Sequence, residues 1–490
     1  MDDAILVIDE GTTSTRAMLV GSEGQCGPAA QHELSASWPR PAWVEHDADE
    51  IWRLSLKAAR TAASASPDSI RTIGISNQRE TIVFWDRKTG EPLAPAIVWQ
   101  DRRTADLCAG LREAGHEPAI QQKTGLLLDP YFSATKIAWA LDHWPQLRAA
   151  GDRLAIGTID SWLVFKLTGG LHLTDATNAS RTLLMDLKGG WDEGLCDLFG
   201  VPRGALPEIV DSAGTLAATD PALFGRQIPI CGIAGDQQAA AIGQDCLAPG
   251  DTKATFGTGA FILTHCGTVP PCSANRLLST VAWQIDGKRA YALEGSLFVA
   301  GQVVSWLRDS LGLIARSAET AALATSVPGS EGVRFVPAFA GLGAPHWQPD
   351  ARAAILGLTL GTGKAHIVRA ALEGVANQGA ELQRAFASDG AIWSRLRIDG
   401  GMAANDFLAQ DLADLLALPV ERPANVESTA LGAAMLAAAG CGLYGSLREA
   451  ADAMGSPLRR FDPGMPEQAR SRRIAEWDRA VAAVQRLGQV

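Results

Sequence analysis

The chain has 490 residues, of which 47% are hydrophobic and 20% are charged. This length exceeds what one hydrophobic core usually serves, so it predicts two large domains. The formal net charge of −11 disfavours a nucleic-acid partner, because such proteins usually present a basic face to phosphates. An anion bound by this chain must therefore be held by a metal ion, by backbone N–H groups and by a few cationic side chains.

The lack of a recognisable signal peptide, the short apolar stretches and the cysteine pattern together predict a cytoplasmic protein that does not insert into a membrane. The N-terminus opens with two acids, and its apolar run covers only residues 4–8, unlike a signal peptide. The most apolar late stretch, 429–443, is shorter than the ~20 residues that span a bilayer, so we expect a buried helix there. The eight cysteines form no C-x-x-C pair, which indicates reduced thiols and no structural zinc.

The first half of the chain alternates strand-like and helix-like patterns, which is typical of an α/β fold. In chain order, we predict strands at 4–9 and 16–20 joined as a hairpin, a helix at 49–65, strands at 71–76 and 80–85, and helices at 102–114, 133–144 and 158–167.

The second half partly repeats the first. Residues 252–265 again predict a strand, a Gly/Thr turn and a strand, as residues 4–20 do. A strand that runs through a small-residue turn into a helix occurs at 228–237 and again at 396–416. Two related domains facing each other explain both similarities. We therefore predict a boundary between residues 244 and 251.

The first hairpin combines groups suited to a metal-bound phosphate chain. Asp9 ends the first strand, Gly11 lets backbone approach a ligand, and hydroxyl side chains fill residues 12–15. Asp9 would hold Mg²⁺ through water, because this ion loses its water reluctantly. Taken alone, the segment is equally well a surface turn. The similar turn at 257–259 favours the phosphate interpretation, since two facing turns would clamp one phosphate from both sides. We call residues 11–15 the first phosphate turn and residues 257–259 the second phosphate turn.

Asp236 is the candidate catalytic residue. It follows an apolar strand and a glycine at the start of a helix, where Asp is also a preferred N-cap, and the two roles are compatible. A phosphoryl-transfer enzyme needs one carboxylate within hydrogen-bond reach of the attacking hydroxyl. A helix start near the carboxyl end of a strand is a usual place for such a group.

The adjacent pair Arg79 and Glu80 is the candidate site for vicinal hydroxyls. Successive side chains of a strand point to opposite faces, so a simple ion pair is not the obvious explanation. If both line a cleft, they supply a fork of donors and a pair of acceptors. Trp99, Tyr131 and Phe261 are candidate apolar walls for a carbon chain, although each is also explained as ordinary core.

Eleven segments in a fixed order carry a resemblance to a known family. They are DEGTTSTRA, ISNQRET, AIVWQDRRTA, TGLLLDPYFSATK, TDATNASRT, GIAGDQQAA, TFGTGAF, YALEGSLF, VPAFAGLGAPHW, DGGMAANDF and ERPANVESTALGAA. Together, over residues 5–445, they resemble the sugar and polyol kinases, and they match most closely the members that phosphorylate glycerol.

The resemblance implies two actin-like, ribonuclease-H-like α/β domains with the active-site cleft between them. Residues 1–246 would carry most of the polyol site and the first phosphate turn, and residues 247–490 most of the nucleotide site. The implied reaction is Mg²⁺-dependent transfer of the ATP γ-phosphoryl group to glycerol, in a cytoplasmic homo-oligomer (a dimer or tetramer). Another polyol or sugar acceptor, such as erythritol or a ketopentose, is the alternative. An actin- or chaperone-like ATPase and a catalytically silent regulator are the rivals from other classes.

The resemblance also assigns residues by motif position. Those that match polyol-holding or polyol-covering positions are Arg79, Glu80, Trp99, Tyr131, Asp236, Gln237 and Phe261. Asp236 also matches the proton acceptor, and Asp9 the partner of Mg²⁺. Those that match ATP contacts are Thr12, Thr13, Ser14, Arg16, Thr258, Gly301, Gly401, Met402 and Asn405.

Some positions depart from the family pattern. Glu10 stands where glutamine is common, and we expect its charge beside the triphosphate. Ser305 replaces a longer polar side chain on the nucleotide wall, and His346 stands where tyrosine is usual. The basic loop that binds fructose bisphosphate in some bacterial members is represented only by residues 225–227, out of register by one, so that regulation is not expected.

Overall fold

The computed structural model describes residues 3–348 and 350–487. The strands are β1 Ala4–Glu10, β2 Ser14–Val20, β3 Ala30–Glu33, β4 Ala36–Ser37, β5 Glu45–His46, β6 Ile70–Asn77, β7 Ile82–Asp86, β8 Pro92–Ile97, β9 Leu154–Thr158, β10 Leu173–Asp175, β11 Glu208–Val210, β12 Ala213–Ala218, β13 Pro229–Gly235, β14 Asp251–Phe256, β15 Ala260–Gly267, β16 Leu278–Ile285, β17 Lys288–Leu297, β18 Arg334–Val336, β19 Ala354–Leu356, β20 Arg395–Asp399, β21 Val420–Pro423 and β22 Leu458–Phe461.

The helices are α1 Ala48–Ala63, α2 Ala105–Glu113, α3 Glu117–Thr124, α4 Ser133–His143, α5 Pro145–Ala149, α6 Ile159–Thr168, α7 Ala176–Ala179, α8 Glu193–Phe199, α9 Pro221–Phe224, α10 Asp236–Gly243, α11 Gly301–Asp309, α12 Glu319–Thr325, α13 Lys364–Ser388, α14 Asp406–Leu416, α15 Ser428–Gly440, α16 Leu447–Met454 and α17 Glu467–Leu487. Among the described residues, no helix is long and apolar enough to cross a membrane.

The strands and helices predicted from the sequence are confirmed, with shifts of a few residues at their ends. The first hairpin is the antiparallel pair β1–β2. Helix α1 begins one residue earlier than predicted, because the side chain of Asp47 accepts the backbone N–H of Asp49 and caps it. The buried helix predicted at 429–443 is α15, in which all residues from Ala430 to Ala438 are buried.

The predicted internal repeat is confirmed by the strand directions in one sheet of 13 strands. In the order β3-β2-β1-β6-β13, the first two pairings are antiparallel and the last two are parallel. The order β17-β15-β14-β20-β21 shows the same sequence of directions. Each half of the chain therefore builds the same five-stranded unit, and in each unit the central strand ends in a Gly/Thr turn.

The two units occupy opposite ends of the sheet. Strands β12 and β16 join them through the single pair Ala213 and Ile285. Strands from residues 1–246 fill one side of that junction, and strands from residues 247–490 fill the other. A second sheet, in the order β4-β5-β8-β7-β9, belongs to the N-terminal half.

Helix α15 comes from the C-terminal half but packs against the N-terminal unit. Its apolar residues share a core with β1, β13 and α10. The approach to α10 is so close that a Cβ at Gly432 would lie 1.8 Å from the carbonyl oxygen of Ala239. Only glycine fits such a contact. This packing fixes α10, the helix that begins with Asp236, between the two halves.

Candidate functional site

Four buried charged side chains form a ring, which we call the charge ring: Arg79, Glu80, Arg181 and Glu294. Arg79 Nη1 lies 2.6 Å from one oxygen of Glu294, and Arg181 Nη2 lies 3.0 Å from the other. Arg181 Nε donates to Glu80 at 2.6 Å, and Glu80 lies 3.9 Å from Arg79 Nε. Glu294 is on β17, so the ring joins the two halves of the chain.

The charge ring balances two positive and two negative groups in the interior. None of the four residues exceeds 3% exposure. Burial alone disfavours the carboxylate of Glu294, but the guanidiniums of Arg181 and Arg79 outweigh this and lower the pKa of Glu294 to about 2. Removal of one member would leave an uncompensated buried charge, which is strongly destabilising.

Backbone geometry explains how Arg79 and Glu80 come to lie together. Glu80 has φ +62°, and it lies in the connection between β6 and β7 rather than in a strand. The expected alternation of side chains therefore does not apply at this point. Arg79 and Glu80 belong to one ion network. The expectation that they do not form an ion pair is therefore corrected.

Asp236 lies next to the charge ring. Its Oδ1 is 3.3 Å from Arg79 Nε, and its side chain keeps 35% exposure, unlike the buried ring. Asp236 is the first residue of α10, and Gly235 occupies the N-cap position. Its carboxylate accepts the N–H of Gln237 at 2.7 Å. It is therefore not the N-cap that the sequence allowed, although its charge does lie at the positive end of the helix dipole.

The aromatic residues form one wall beside the charge ring. The rings of Trp99 and Tyr131 meet edge to face, with their centroids 5.5 Å apart. Tyr131 also lies near Arg79, whose Nη2 is 3.4 Å from the phenol oxygen. The buried ammonium of Lys136 donates to the backbone carbonyls of Pro130, Tyr131 and Trp99 and so ties the two aromatic segments together.

Phe261 approaches from the C-terminal half. In the antiparallel register, Phe261 lies opposite Ser296, and Leu263 lies opposite Glu294. Directly opposed side chains project from the same face of a sheet, so Phe261 shares its face with Glu294. Phe261 is half-buried.

The first phosphate turn is joined to this wall. Trp99 Nε1 donates to Thr12 Oγ1 at 2.9 Å. Thr13 and Ser14 complete the turn, in which Gly11 N–H donates to the carbonyl of Ser14 at 3.0 Å. The predicted acceptor and phosphate groups of the N-terminal half thus lie side by side.

Asp9 and Arg16 are paired at the base of that turn. Asp9 Oδ2 is 2.5 Å from Arg16 Nη2, and Arg16 Nη1 is 2.9 Å from Glu427 of the C-terminal half. Burial raises the pKa of Asp9, Arg16 opposes this, and the nearby charge of Asp236 adds to the rise. The neighbouring carboxylates of Asp9 and Asp236 fit a Mg²⁺ ion that takes its remaining ligands from water and phosphate oxygens.

Glu10 does not lie where the sequence suggested. It follows Asp9 on β1, so its side chain points to the opposite face. It is fully buried there, and its Oε2 accepts the hydroxyl of Ser55 on α1 at 2.9 Å. Burial raises the pKa of Glu10 to about 8, so the group is largely protonated at neutral pH. The structure therefore contradicts the expectation that Glu10 adds a negative charge beside the triphosphate.

The predicted nucleotide residues of the C-terminal half line one cavity of about 560 Å³. They are Thr258, Gly301, Gly401, Met402 and Asn405. The second phosphate turn packs on the start of α11, where Gly301 N–H donates to the carbonyl of Gly257 at 2.9 Å. A Cβ at Gly301 would lie 2.5 Å from that carbonyl oxygen, so the position requires glycine. Asn405 caps α14.

The departures from the family pattern have distinct surroundings. Ser305 lines the nucleotide cavity. His346 lies outside that cavity and shares hydrogen bonds with Glu381 at 2.8 Å and Gln485 at 3.1 Å. Arg226 donates to the backbone carbonyls of Pro67 and Ile70, so its guanidinium is used within the chain.

A larger groove of about 1,420 Å³ lies along α1 and β8. Its lining includes neither Asp236 nor either phosphate turn. Convergent charged groups and glycine turns, rather than volume, mark a site for phosphoryl transfer. The smaller cavity, together with the charge ring and Asp236, is therefore the candidate site.

Sequence reasoning missed three residues of this region: Arg181, Glu294 and Lys253. Each lies within a segment that carried the resemblance or next to one, and each is almost fully buried. The available signal was a charged residue inside an otherwise apolar strand, as for Glu294 in YALEGSLF and Lys253 in TKATF. Such residues are rarely buried unless they are paired or functional.

Comparison with known proteins agrees with this geometry. The model of the FGGY family of carbohydrate kinases, N-terminal domain, matches residues 4–243, and that of the C-terminal domain matches residues 252–441. The chain belongs to the FGGY family of carbohydrate kinases. Its fold is accordingly the two-domain α/β fold of that family.

Individual FGGY relatives match over nearly their whole length. A protein from Methylobacterium nodulans named glycerol kinase is 52% identical, over 99% of this chain and 98% of that protein. One of the same name from Alkalilimnicola ehrlichii is 53% identical, over 98% and 97%. The crystal structure of Plasmodium falciparum glycerol kinase with ADP is 37% identical, has a TM-score of 0.95 and covers 98% of both chains.

The charge ring of this FGGY kinase predicts a large stability loss in Glu294→Gln. The substitution removes the carboxylate that Arg79 and Arg181 share, and breaking a buried ion network typically costs ~3–5 kcal/mol. Thermal unfolding measures the loss. Asp142→Asn, which removes an exposed ion pair with Arg148, is the control and should change the melting temperature little. Equal effects of the two substitutions would contradict the importance of the ring.

Because the carboxyl of Glu10 is buried, we expect Glu10→Gln to stabilise the folded protein by an amount that depends on pH. Because its pKa is about 8 in the folded chain and 4.5 unfolded, the native state binds the extra proton in between. The contribution of Glu10 to stability therefore falls as pH rises through this window. The advantage of Gln over Glu should grow by up to about 1.4 kcal/mol per pH unit within it. Unfolding curves at several pH values test this; a constant difference would contradict it.

Proposed function

We propose that this chain transfers the γ-phosphoryl group of ATP to glycerol, giving sn-glycerol 3-phosphate and ADP. One observation carries the proposal: Asp236 lies partly exposed beside the buried Arg79–Glu80 pair, and Arg79 also contacts Tyr131 of the aromatic wall. Full-length similarity to proteins named glycerol kinase supports it. The alternative of erythritol or a ketopentose as acceptor is less favoured, because these polar and aromatic groups suit a short polyol.

The acceptor would be held by groups that the charge ring keeps in place. Arg79 offers N–H donors and Glu80 offers acceptor oxygens, which together match two vicinal hydroxyls. Trp99, Tyr131 and Phe261 cover the carbon chain and exclude water. Because Arg79 and Glu80 are already ordered, little rotamer entropy is lost when the polyol binds.

Asp236 would accept the proton of the attacking hydroxyl. Its carboxylate is the exposed acid of the cluster, and Arg79 holds it in place at 3.3 Å. In a loose transition state the proton leaves late, so the main task of Asp236 is to orient the hydroxyl in line with the transferring group. Gln237, the next residue of α10, lies beside it.

The phosphate chain would lie between the two Gly/Thr turns. Thr12, Thr13, Ser14 and Arg16 reach it from one side, while Thr258 and the cavity with Gly301, Gly401, Met402 and Asn405 hold the nucleotide on the other. Backbone N–H groups preorganised around the phosphates stabilise the charge that develops during transfer. Asp9, near Asp236, would hold Mg²⁺ through water, and the bound ion would supply electrostatic stabilisation of the phosphates.

We also propose a domain boundary between residues 246 and 247, a cytoplasmic location and a homo-oligomer, either dimer or tetramer. The boundary is supported by the change of strand origin at the β12–β16 junction of the sheet. Glycerol, ATP and Mg²⁺ are the small-molecule partners of this proposal, and neither nucleic acid nor membrane insertion has a part in it.

The acceptor is tested by measuring ADP release with glycerol, dihydroxyacetone, erythritol, xylulose and ribulose. Glycerol should give the highest specificity constant, because the pocket combines polar groups for two hydroxyls with aromatic walls around a short chain. A five-carbon sugar that exceeds glycerol by about tenfold would contradict the assignment. ADP release that no polyol stimulates would favour an ATPase that changes shape, and no release at all a silent regulator.

Asp236→Asn tests the catalytic role. The substitution keeps the shape of the side chain and removes the base, so kcat should fall by ~10²–10⁴-fold. Thermal stability and ADP binding should change much less than in Glu294→Gln, because Asp236 is 35% exposed, accepts one backbone N–H, and leaves Arg79 paired with Glu294. Turnover above about a tenth of the wild-type value would overturn the assignment of Asp236.

A further inference from the structure

Lys253 is a buried lysine that no step of the proposed reaction uses. It lies on β14 and has 0% exposure. Its ammonium donates to Gln237 Oε1 at 2.5 Å and to Thr255 Oγ1 at 2.8 Å. Both partners are neutral, so within residues 3–348 and 350–487 the ammonium hydrogen-bonds to no carboxylate. A buried ammonium without an ion pair is unfavourable, so packing does not explain it.

The two partners of Lys253 belong to the two sides of the site. Gln237 follows Asp236 in the first turn of α10, and Thr255 lies two residues before Gly257 in the second phosphate turn. Lys253 therefore connects the start of the helix that carries the proton acceptor directly to the strand that carries a phosphate turn. Gln237 belongs to the N-terminal half of the chain, and Thr255 belongs to the C-terminal half.

The sheet register places Lys253 on the face that carries the charge ring. Lys253 lies opposite Leu263, which in turn lies opposite Glu294. Opposed residues project from one face, so Lys253 and Glu294 share it, as do Thr255 and Phe261.

Nearby charges oppose the cost of burying this ammonium. Burial lowers the pKa of Lys253, while the carboxylates of Asp399, Asp236 and Glu294 favour its charged form. The positive charge of Lys253 thus lies within the electrostatic reach of Asp236. It offsets part of the negative charge where acceptor and phosphates would meet.

We propose that Lys253 is a positioning residue: it fixes the first turn of α10 against the second phosphate turn, so that Asp236 and the phosphates keep a productive separation. The inference rests on the proposed function. A small misplacement of reacting groups lowers turnover far more than it lowers binding. Lys253 does not touch the acceptor in this arrangement, so its loss should act through Gln237.

The test is Lys253→Met, which keeps the length of the side chain and removes the ammonium. We expect kcat for glycerol to fall by about 10²-fold, with KM for glycerol and ATP changed by less than about threefold. The control is Lys166→Met, because Lys166 donates to the carbonyl of Gly90 and packs on Trp162, outside the site. Its kcat should remain at the wild-type value.

A double-mutant cycle with Gln237→Met separates positioning from a general structural role. If Lys253 acts through Gln237, the double variant should be no slower than the slower single variant. Multiplication of the two losses, or a kcat of Lys253→Met within about threefold of wild type, would overturn the proposal. If Lys253→Met does not fold, Gln237→Met decides, because it removes the same hydrogen bond. An undiminished kcat, or a loss confined to KM for glycerol, would then overturn the proposal.

The wild-type protein separates this inference from the proposed function. A folded wild type that phosphorylates no polyol overturns both. An active wild type whose Lys253→Met variant keeps its turnover overturns only the positioning role.

Discussion

The charge ring of Arg79, Glu80, Arg181 and Glu294 is the constraint on which the rest of the site depends. Three of its members come from the N-terminal half, and Glu294 comes from β17 of the C-terminal half. Buried charges are tolerated only when each is paired with good geometry. The acceptor groups and the relative placement of the two halves are therefore fixed by the same contacts.

Further links between the halves surround the charge ring. Arg16 connects the first phosphate turn to Glu427, and Lys253 connects the second turn to Gln237. Apolar packing adds to them, since α15 lies against α10 with a glycine at the closest approach. The start of α10 is thus held by polar contacts on its cleft side and by close packing behind. Such support from several directions is what keeps a catalytic carboxylate in a defined position.

The two faces of β1 show how a single-residue alternation separates roles. Asp9 points toward Arg16 and the cleft, whereas Glu10 points into the core toward α1. The family resemblance placed Glu10 near the phosphates because it stands at a motif position where glutamine is common. The pleat of the strand turns Glu10 into the core, where burial raises its pKa to about 8, so we expect its effect to be on stability rather than on the metal.

The sequence by itself determined the elements, the repeat and most of the residues that the structure brings together in the candidate site. Hydrophobic period and turn residues predicted β1, α1, β6 and α10, because these signals are local. The clustering of Thr258, Gly301, Gly401 and Asn405 followed from motif order, and the cavity brings them together. Only the tertiary structure decided the pairing of Arg79 with Glu294, the orientation of Glu10 and the contact of Lys253 with Gln237. These depend on a positive φ at Glu80, on strand pleat and on register between distant segments, none of which leaves a local pattern in the sequence.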